Sequence, residues 1–444
     1  MKSARQAAFE ALLKIQKEGA YSNLVVDATL KENEHFDERD KAFFSNLVYG
    51  TLDRLILIDY NLSMYLNQPV RKLKPELHTI LRLGTYQLLF LDKVPSRAAV
   101  NESVNLAKVN KSAFAASLVN AVLRRVADNG LKLPEGSEND PDYLAIKYSC
   151  PEWLISMWIE AYGFDNAIAL AEKALEAAPV VVKVNTLKTT VDDLIWKLAE
   201  EGVVAEKSTK FPDSLVLNNT GAVEELLAYQ EGLFHAQDFA SQICCKALDA
   251  KPGETVFDLC SAPGGKAFTI AQSMQNTGCV RAFDIYQSRV ELIKNGAKRL
   301  GLDNVYTYLS DATIFNENYG MADRVLCDVP CSGLGIIRRK PEIRFKKSAE
   351  IDNLPEIQYS ILCNATKYLK DGGRLVYSTC TLNPKENDEI CNRFLEEHPE
   401  FEAVKVLPEL RRYSENDKYL TLMPHIHSTD GFFVAVFQKN GGNK

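Results

Sequence analysis

At 444 residues, 46% of them hydrophobic and 25% charged, the chain has the composition of a folded globular protein with room for two to four domains of roughly 100–200 residues each. No apolar run approaches the roughly 18 residues of a membrane helix, and the N-terminus MKSARQAAFEALLKIQKEG places charges between apolar residues where a secretory leader would carry an unbroken apolar core; a cytoplasmic protein without membrane association is expected. The formal net charge is −7, from 52 basic and 59 acidic residues, so a polyanionic partner would have to be met by local basic patches.

From Ser3 to about Asn129 apolar residues recur at intervals of three and four, as in AAFEALLKI, ELHTILRLGTYQLLFL and AFAASLVNAVLRRV. This predicts an all-helical domain of five to seven helices over 1–130. Residues 71–132 carry eleven Lys and Arg against four Asp and Glu, a basic footprint suited to phosphates. The stretch 131–144 is rich in Gly, Pro, Asn and acidic residues and reads as a linker.

Residues 145–248 are mixed. VVVKVNTL and SLVLNN have strand character, and TVDDLIWKLAEEG reads as a helix capped by Thr190. A small α+β module is predicted. Over 249–440 strands and helices alternate. ETVFDLC, GCVRAFDIY, NVYTYLSD, DRVLCDVP and GRLVYSTC are the candidate strands, and GFFVAVFQK closes the chain as an edge strand. Such alternation requires crossover connections and a mainly parallel sheet, an α/β domain of Rossmann-like type.

Ten cysteines are present. In a reducing compartment they are expected as free thiols, and Cys150, Cys244, Cys245, Cys279, Cys363 and Cys391 as simply buried ones. No CxxC pair occurs and no histidine cluster lies near Cys327 and Cys331, so no metal site is expected.

Ligands of parallel sheets bind beyond the carboxyl ends of the strands. The first candidate strand runs into DLCSAPGGK, in which Cys260, Ser261, Ala262, Pro263, Gly264, Gly265 and Lys266 form a sharp turn before a helix. The pattern is neither GxGxxG nor a phosphate-binding GxxxxGK[ST] loop. Asp258, Asp284, Asp311 and Asp328 stand at the ends of four successive candidate strands. A carboxylate at Asp284 suits ribose hydroxyls, and one at Asp311 could accept from an adenine amine. So many carboxylates would repel a polyphosphate. An adenosine without phosphates fits, and S-adenosylmethionine, whose sulfonium is cationic, is the expected cofactor.

Two strand ends carry thiols, Cys331 in DVPCSG, just after Asp328, and Cys380 in YSTCT. Carbon 5 of a pyrimidine is a poor nucleophile until a thiolate adds at carbon 6. One cysteine then attacks, a second acid–base group assists release, and Asp328 is a candidate for a carboxylic acid that hydrogen-bonds at ring nitrogen 3 and favours addition. DLCSAPGGK, DVPCSG and YSTCT resemble the motifs of the RNA cytosine-5 methyltransferases. The resemblance implies that Cys380 is the nucleophile, that Cys331 assists product release, and that RNA is the substrate. Ser261 departs from the alanine more usual there. HAQDFASQ (His235 to Gln242) is similar to the segment preceding the catalytic domain in that family, and the helical region resembles the NusB fold. Together they imply a bacterial methyltransferase of small-subunit (16S) ribosomal RNA, acting as a monomer. Three alternatives stay open: a transfer RNA methyltransferase, a non-catalytic ribosome-assembly factor, and a thiol redox protein using Cys331 and Cys380. Lys266 could touch the acceptor nucleotide or support the pocket. The run 336–347, with six basic residues and one acidic, is expected to contact phosphate through Arg338 and Arg339.

Overall fold

In the computed structural model, which describes residues 2–441 apart from 111, 219, 406, 408, 409 and 411–417, the chain divides into two compact units. The first comprises Met1–Ala177 together with Ile337–Lys347. Seven α-helices lie between Ala4 and Asn129, and three more follow, Pro141–Lys147, Glu152–Tyr162 and Phe164–Lys173. The apolar stripes of the first seven close on one core that includes Phe9, Phe44, Leu47, Leu81 and Leu123, all at most 4% exposed.

The returning segment Ile337–Lys347 belongs to this unit and contributes polar groups that its helices lack. The helix Ser22–Glu32 has Tyr21 at its N-cap, with no capping side chain. Glu342 supplies the missing acceptor, taking hydrogen bonds from Ser22 N (3.0 Å) and Ser22 Oγ (2.6 Å). Arg344 is fully buried. Its guanidinium donates to the carbonyls of Asp53, Ser149 and Ala174 and to Asp53 Oδ1. The expectation that the whole run 336–347 faces phosphate therefore needs correction: Arg344 is an interior residue, whereas Arg338 and Arg339 are part-exposed.

The second unit, Ala178–Ile336 with Ser348–Lys444, holds two sheets. β1 (Val180–Val184), β2 (Val204–Lys207), β3 (Ser214–Asn218) and β4 (Phe234–Ala236) form an antiparallel sheet in the order β2-β3-β1-β4. The helix Val191–Glu200 beside it is capped as expected, Thr190 accepting from Asp193 N at 3.1 Å. β2 and β4 escaped the sequence reading because they are only four and three residues long, too short for a period to show.

The larger sheet is built from β5 (Thr255–Asp258), β6 (Cys279–Asp284), β7 (Val305–Leu309), β8 (Ala322–Asp328), β9 (Leu369–Thr379), β10 (Phe401–Ala403), β11 (Leu420–Leu422) and β12 (Phe432–Lys439). Its order is β10-β12-β9-β8-β5-β6-β7, with β11 on β12. The five strands β5 to β9 are mutually parallel, and β12 is antiparallel to β9. β12 is not an edge strand, contrary to the expectation, because β10 and β11 pair along its outer side.

Alternation along the central strands sorts side chains into two layers. Leu326, Val376, Val434 and Val436 pack with the helices Phe239–Leu248 and Gly265–Ser273, while Val325, Cys327, Leu375, Tyr377, Phe433 and Phe437 pack with Leu354–Thr366 and Asp388–Glu397. Both faces are covered, which is why these strands read as continuous apolar runs. Of the cysteines expected to be buried, Cys279 and Cys363 are only partly so.

Candidate active site

β5, β6, β8 and β9 all deliver their carboxyl ends to one edge of the parallel sheet. After β5 the chain turns through Cys260–Gly264 and enters the helix Gly265–Ser273. Ser261 N donates to Phe283 O at 2.8 Å and Gly264 N to Ser261 O at 2.8 Å, so the turn is fastened to β6. Gly264 has φ +109°, and a Cβ there would meet the Phe268 ring at 2.3 Å; only glycine serves. HAQDFASQ supports this turn from beneath. Gln237 Nε2 donates to Gly265 O (3.1 Å) and Thr269 Oγ1 donates to Gln237 Oε1 (2.6 Å). His235, buried beside Thr269, is held neutral, its pKa lowered to about 3 by burial and by Arg299 and Lys183.

Asp258 is fully buried. Burial first, and then the Asp328 charge, push its pKa up to about 7. Neither carboxylate oxygen has a hydrogen-bond partner in the protein at bonding geometry, and Ser261 Oγ has none either. Orphaned buried acceptors beside a glycine turn are what a bound amino group would satisfy. Asp284 is 6% exposed and spends Oδ1 on Tyr286 N at 3.1 Å. Asp311 lies two residues beyond the end of β7. Its Oδ1 accepts from Thr313 N and Thr313 Oγ1, forming a local turn, and Ser310 N donates to Asp284 O.

Asp328, at the tip of β8, is paired with Lys266 (Nζ to Oδ2, 2.8 Å) and accepts from Ser378 Oγ (2.8 Å). Burial alone would discharge Lys266; Asp328 outweighs it, and the Lys266 pKa is raised. Lys266 Nζ also reaches Ser241 Oγ (3.2 Å) and sits over the Phe432 ring. Lys266 is thus engaged from three sides, by Asp328, Ser241 and Phe432.

The parallel register sets Asp328 opposite Ser378, and Val329 N donates to Ser378 O. Cys331 and Cys380 therefore leave adjacent strand ends together, and their Sγ atoms lie 3.2 Å apart. Past Cys331, Gly335 N donates to Cys380 O at 3.0 Å, and a Cβ on Gly335 would meet Gly431 O at 2.0 Å. The two thiol-bearing segments are packed backbone on backbone. The shared hydrogen with Cys380, then burial, raise the Cys331 pKa well above that of a free thiol.

The sequence reading did not identify Ser378, Ser241 or Glu386. Ser378 could have been found from the strand period two residues before Cys380. Ser241 lies inside HAQDFASQ but meets Lys266 only through tertiary packing, and Glu386 is brought in by tertiary packing without a local pattern.

Residues 245–438 match the family described as 16S rRNA methyltransferase RsmB/F. Residues 2–128 match the NusB family, and 150–224 the ferredoxin-like domain of RsmF/B-like methyltransferases. The chain is 40% identical to the probable ribosomal RNA small subunit methyltransferase B of Bacillus subtilis, covering 99% of each protein. It is 34% identical to that of Synechocystis sp., covering 99% of this chain and 100% of the other. Among solved structures, a methyltransferase homolog protein from Pyrococcus horikoshii is 30% identical, with a TM-score of 0.60 over 68% of this chain and all of that one. Three matched segments in the same order, and similarity that runs from end to end, establish that the chain belongs to the RsmB-type family of 16S ribosomal RNA methyltransferases.

Proposed function

We propose that the protein transfers a methyl group from S-adenosylmethionine to carbon 5 of a cytosine in 16S ribosomal RNA through a covalent adduct with Cys380, in the cytoplasm. The observation that carries this reading is the pair of thiols 3.2 Å apart beside Asp328. Methylation of an oxygen or nitrogen needs orientation and a base; an unactivated ring carbon needs a nucleophile as well.

The turn Cys260–Lys266, with Asp258, Asp284, Asp311 and Asp328, would hold the cofactor, which supplies an electrophilic methyl when bound. Asp258 would take its amino group and the free oxygen of Asp284 its ribose. Cys380 adds through Sγ to carbon 6, pushing the ring electrons toward carbon 5. After methylation Cys331 takes part in removing the carbon-5 proton, and the Cys380–carbon 6 bond breaks to restore the aromatic ring. Asp328, ion-paired with Lys266, would contact the polar edge of the cytosine ring. The basic residues of 71–132 and Arg338 and Arg339 would meet the RNA backbone.

The two cysteines should fail differently. Cys380→Ala should bind cofactor and RNA and give neither product nor adduct. Cys331→Ala should accumulate an S-adenosylmethionine-dependent protein–RNA complex that survives a denaturing gel. Reversed behaviour would exchange the two roles, and methylation by the double variant would remove the covalent route altogether. Labelled cofactor offered with separate RNA pools distinguishes ribosomal from transfer RNA.

A further inference from the structure

We propose that Glu386, a carboxylate lying outside the reacting set, is the positioning residue that holds Cys331 and Cys380 in register. It is fully buried and sits on the short turn Pro384–Glu386 that follows Cys380. Both oxygens are saturated by donors from separate parts of the chain. Oε2 accepts from Ser332 N (2.9 Å) and Gln358 Nε2 (2.8 Å); Oε1 accepts from Ser332 Oγ and from Asn383 Nδ2 (2.9 Å).

The contacts fall on the immediate neighbours of both thiols. Ser332 follows Cys331, and Gln358 Nε2 also donates to Pro330 O at 3.0 Å. The peptide on each side of Cys331 is thereby tied to one carboxylate. On the other strand, Ser332 Oγ lies 2.7 Å from Thr381 Oγ1. Asn387, next to Glu386, donates to Thr381 O (3.0 Å) and accepts from Thr379 Oγ1 (2.6 Å). The residues before and after Cys380 are bound to the same turn, and Tyr377 OH donates to Glu386 O at 2.6 Å. The network touches neither thiol sulfur. It fixes the backbone that carries them.

The chemistry demands a carboxylate here. Each oxygen receives two donors, so both ends of the group must be acceptor-only. A glutamine amide would aim N–H groups at two donors, lose two hydrogen bonds and push Ser332 away. A displacement of about 1 Å at the reacting groups costs on the order of a hundredfold in rate. Glu386→Gln is therefore expected to lower kcat by about two orders of magnitude while the affinity for S-adenosylmethionine stays within about threefold. Glu386→Asp, which keeps two acceptor oxygens, should recover part of the loss.

The proposal rests on the covalent reading for its catalytic meaning, so its test includes a readout independent of methyl transfer. Diamide oxidises two adjacent thiols to a disulfide, the two electrons and two protons passing to its N=N bond. Intact-mass and peptide mapping measure how fast Cys331 and Cys380 become joined. The full-length wild-type protein should crosslink rapidly, and Glu386→Gln roughly tenfold or more slowly, because the effective concentration of one thiol at the other falls with disorder. Ser332→Ala, which removes the hydroxyl shared with Glu386 and Thr381 and adds no new group, should shift the rate the same way and decides the matter if Glu386→Gln does not fold. Crosslinking of the folded variants at the wild-type rate, or no crosslink in the wild type, would overturn the positioning role. If the variants crosslink slowly while Cys380→Ala still methylates, positioning stands and the covalent reading falls.

Discussion

Asp258 is fully buried, and neither of its oxygens has a hydrogen-bond partner at bonding geometry. Asp258 has a pKa near 7, raised chiefly by burial, so below that pH it is largely neutral. A cationic ligand favours the ionised form. Cofactor affinity should therefore rise as pH increases through about 7, with release of a proton on binding. Calorimetry in buffers of different ionisation enthalpy measures this directly, and Asp258→Asn should abolish the proton release. Stability should run the other way. The folded pKa lies above the unfolded value of 3.8, so the contribution of Asp258 is complete below that value and is lost as pH climbs through about 7. The difference in melting temperature between wild type and Asp258→Asn should follow that window. Asp284, with one oxygen used by Tyr286 N, should cost roughly 2–4 kcal/mol of cofactor affinity when changed to alanine, at about 1.5–3 for each bond to a charged group with incomplete additivity. RNA binding by Asp284→Ala should persist in a filter assay.

At the scale of the element, the segment Pro341–Phe345 shows what a charge run conceals. Composition treats Arg338, Arg339 and Arg344 alike, and the fold separates them. Arg344→Ala would leave three carbonyls and Asp53 without their donor. Breaking such a buried arrangement costs about 3–5 kcal/mol, to be read as a lower denaturant midpoint. The Asp53 pKa, already raised to about 6 by burial against the opposing pull of Arg344, should climb further. Replacing Arg338 and Arg339 by alanine should instead weaken RNA binding and flatten its salt dependence, by about 0.7 in logarithmic slope for each single-strand phosphate no longer neutralised. The strand ends bearing Asp258, Asp284 and Asp328 were legible because buried parallel strands are apolar throughout, and a charge at the tip stands out. β10 and β11 were not, because three residues cannot display a period. Without them β12 looked like an edge. Glu386 was invisible for a different reason. Its meaning lies in Ser332 and Gln358, 54 and 28 residues away, and no spacing rule links them.

For the molecule as a whole, order along the chain and membership of a unit differ. The helical unit is interrupted at Ala177 and finished by Ile337–Lys347. That interruption has a consequence for synthesis from the N-terminus. The ten helices of the first unit leave the ribosome with Ser22 uncapped and with the carbonyls of Asp53, Ser149 and Ala174 lacking the donor that they bond in the finished protein. Arg344 follows Ala177 by 167 residues (344 − 177). At about 5–20 residues per second its arrival is delayed by roughly 8–33 s. Arrested chains ending near Ala177 should be cut readily by a protease in the helical region, and chains extended past Lys347 should resist it. The helical unit should gain its full protease resistance only once the segment ending at Lys347 has been made.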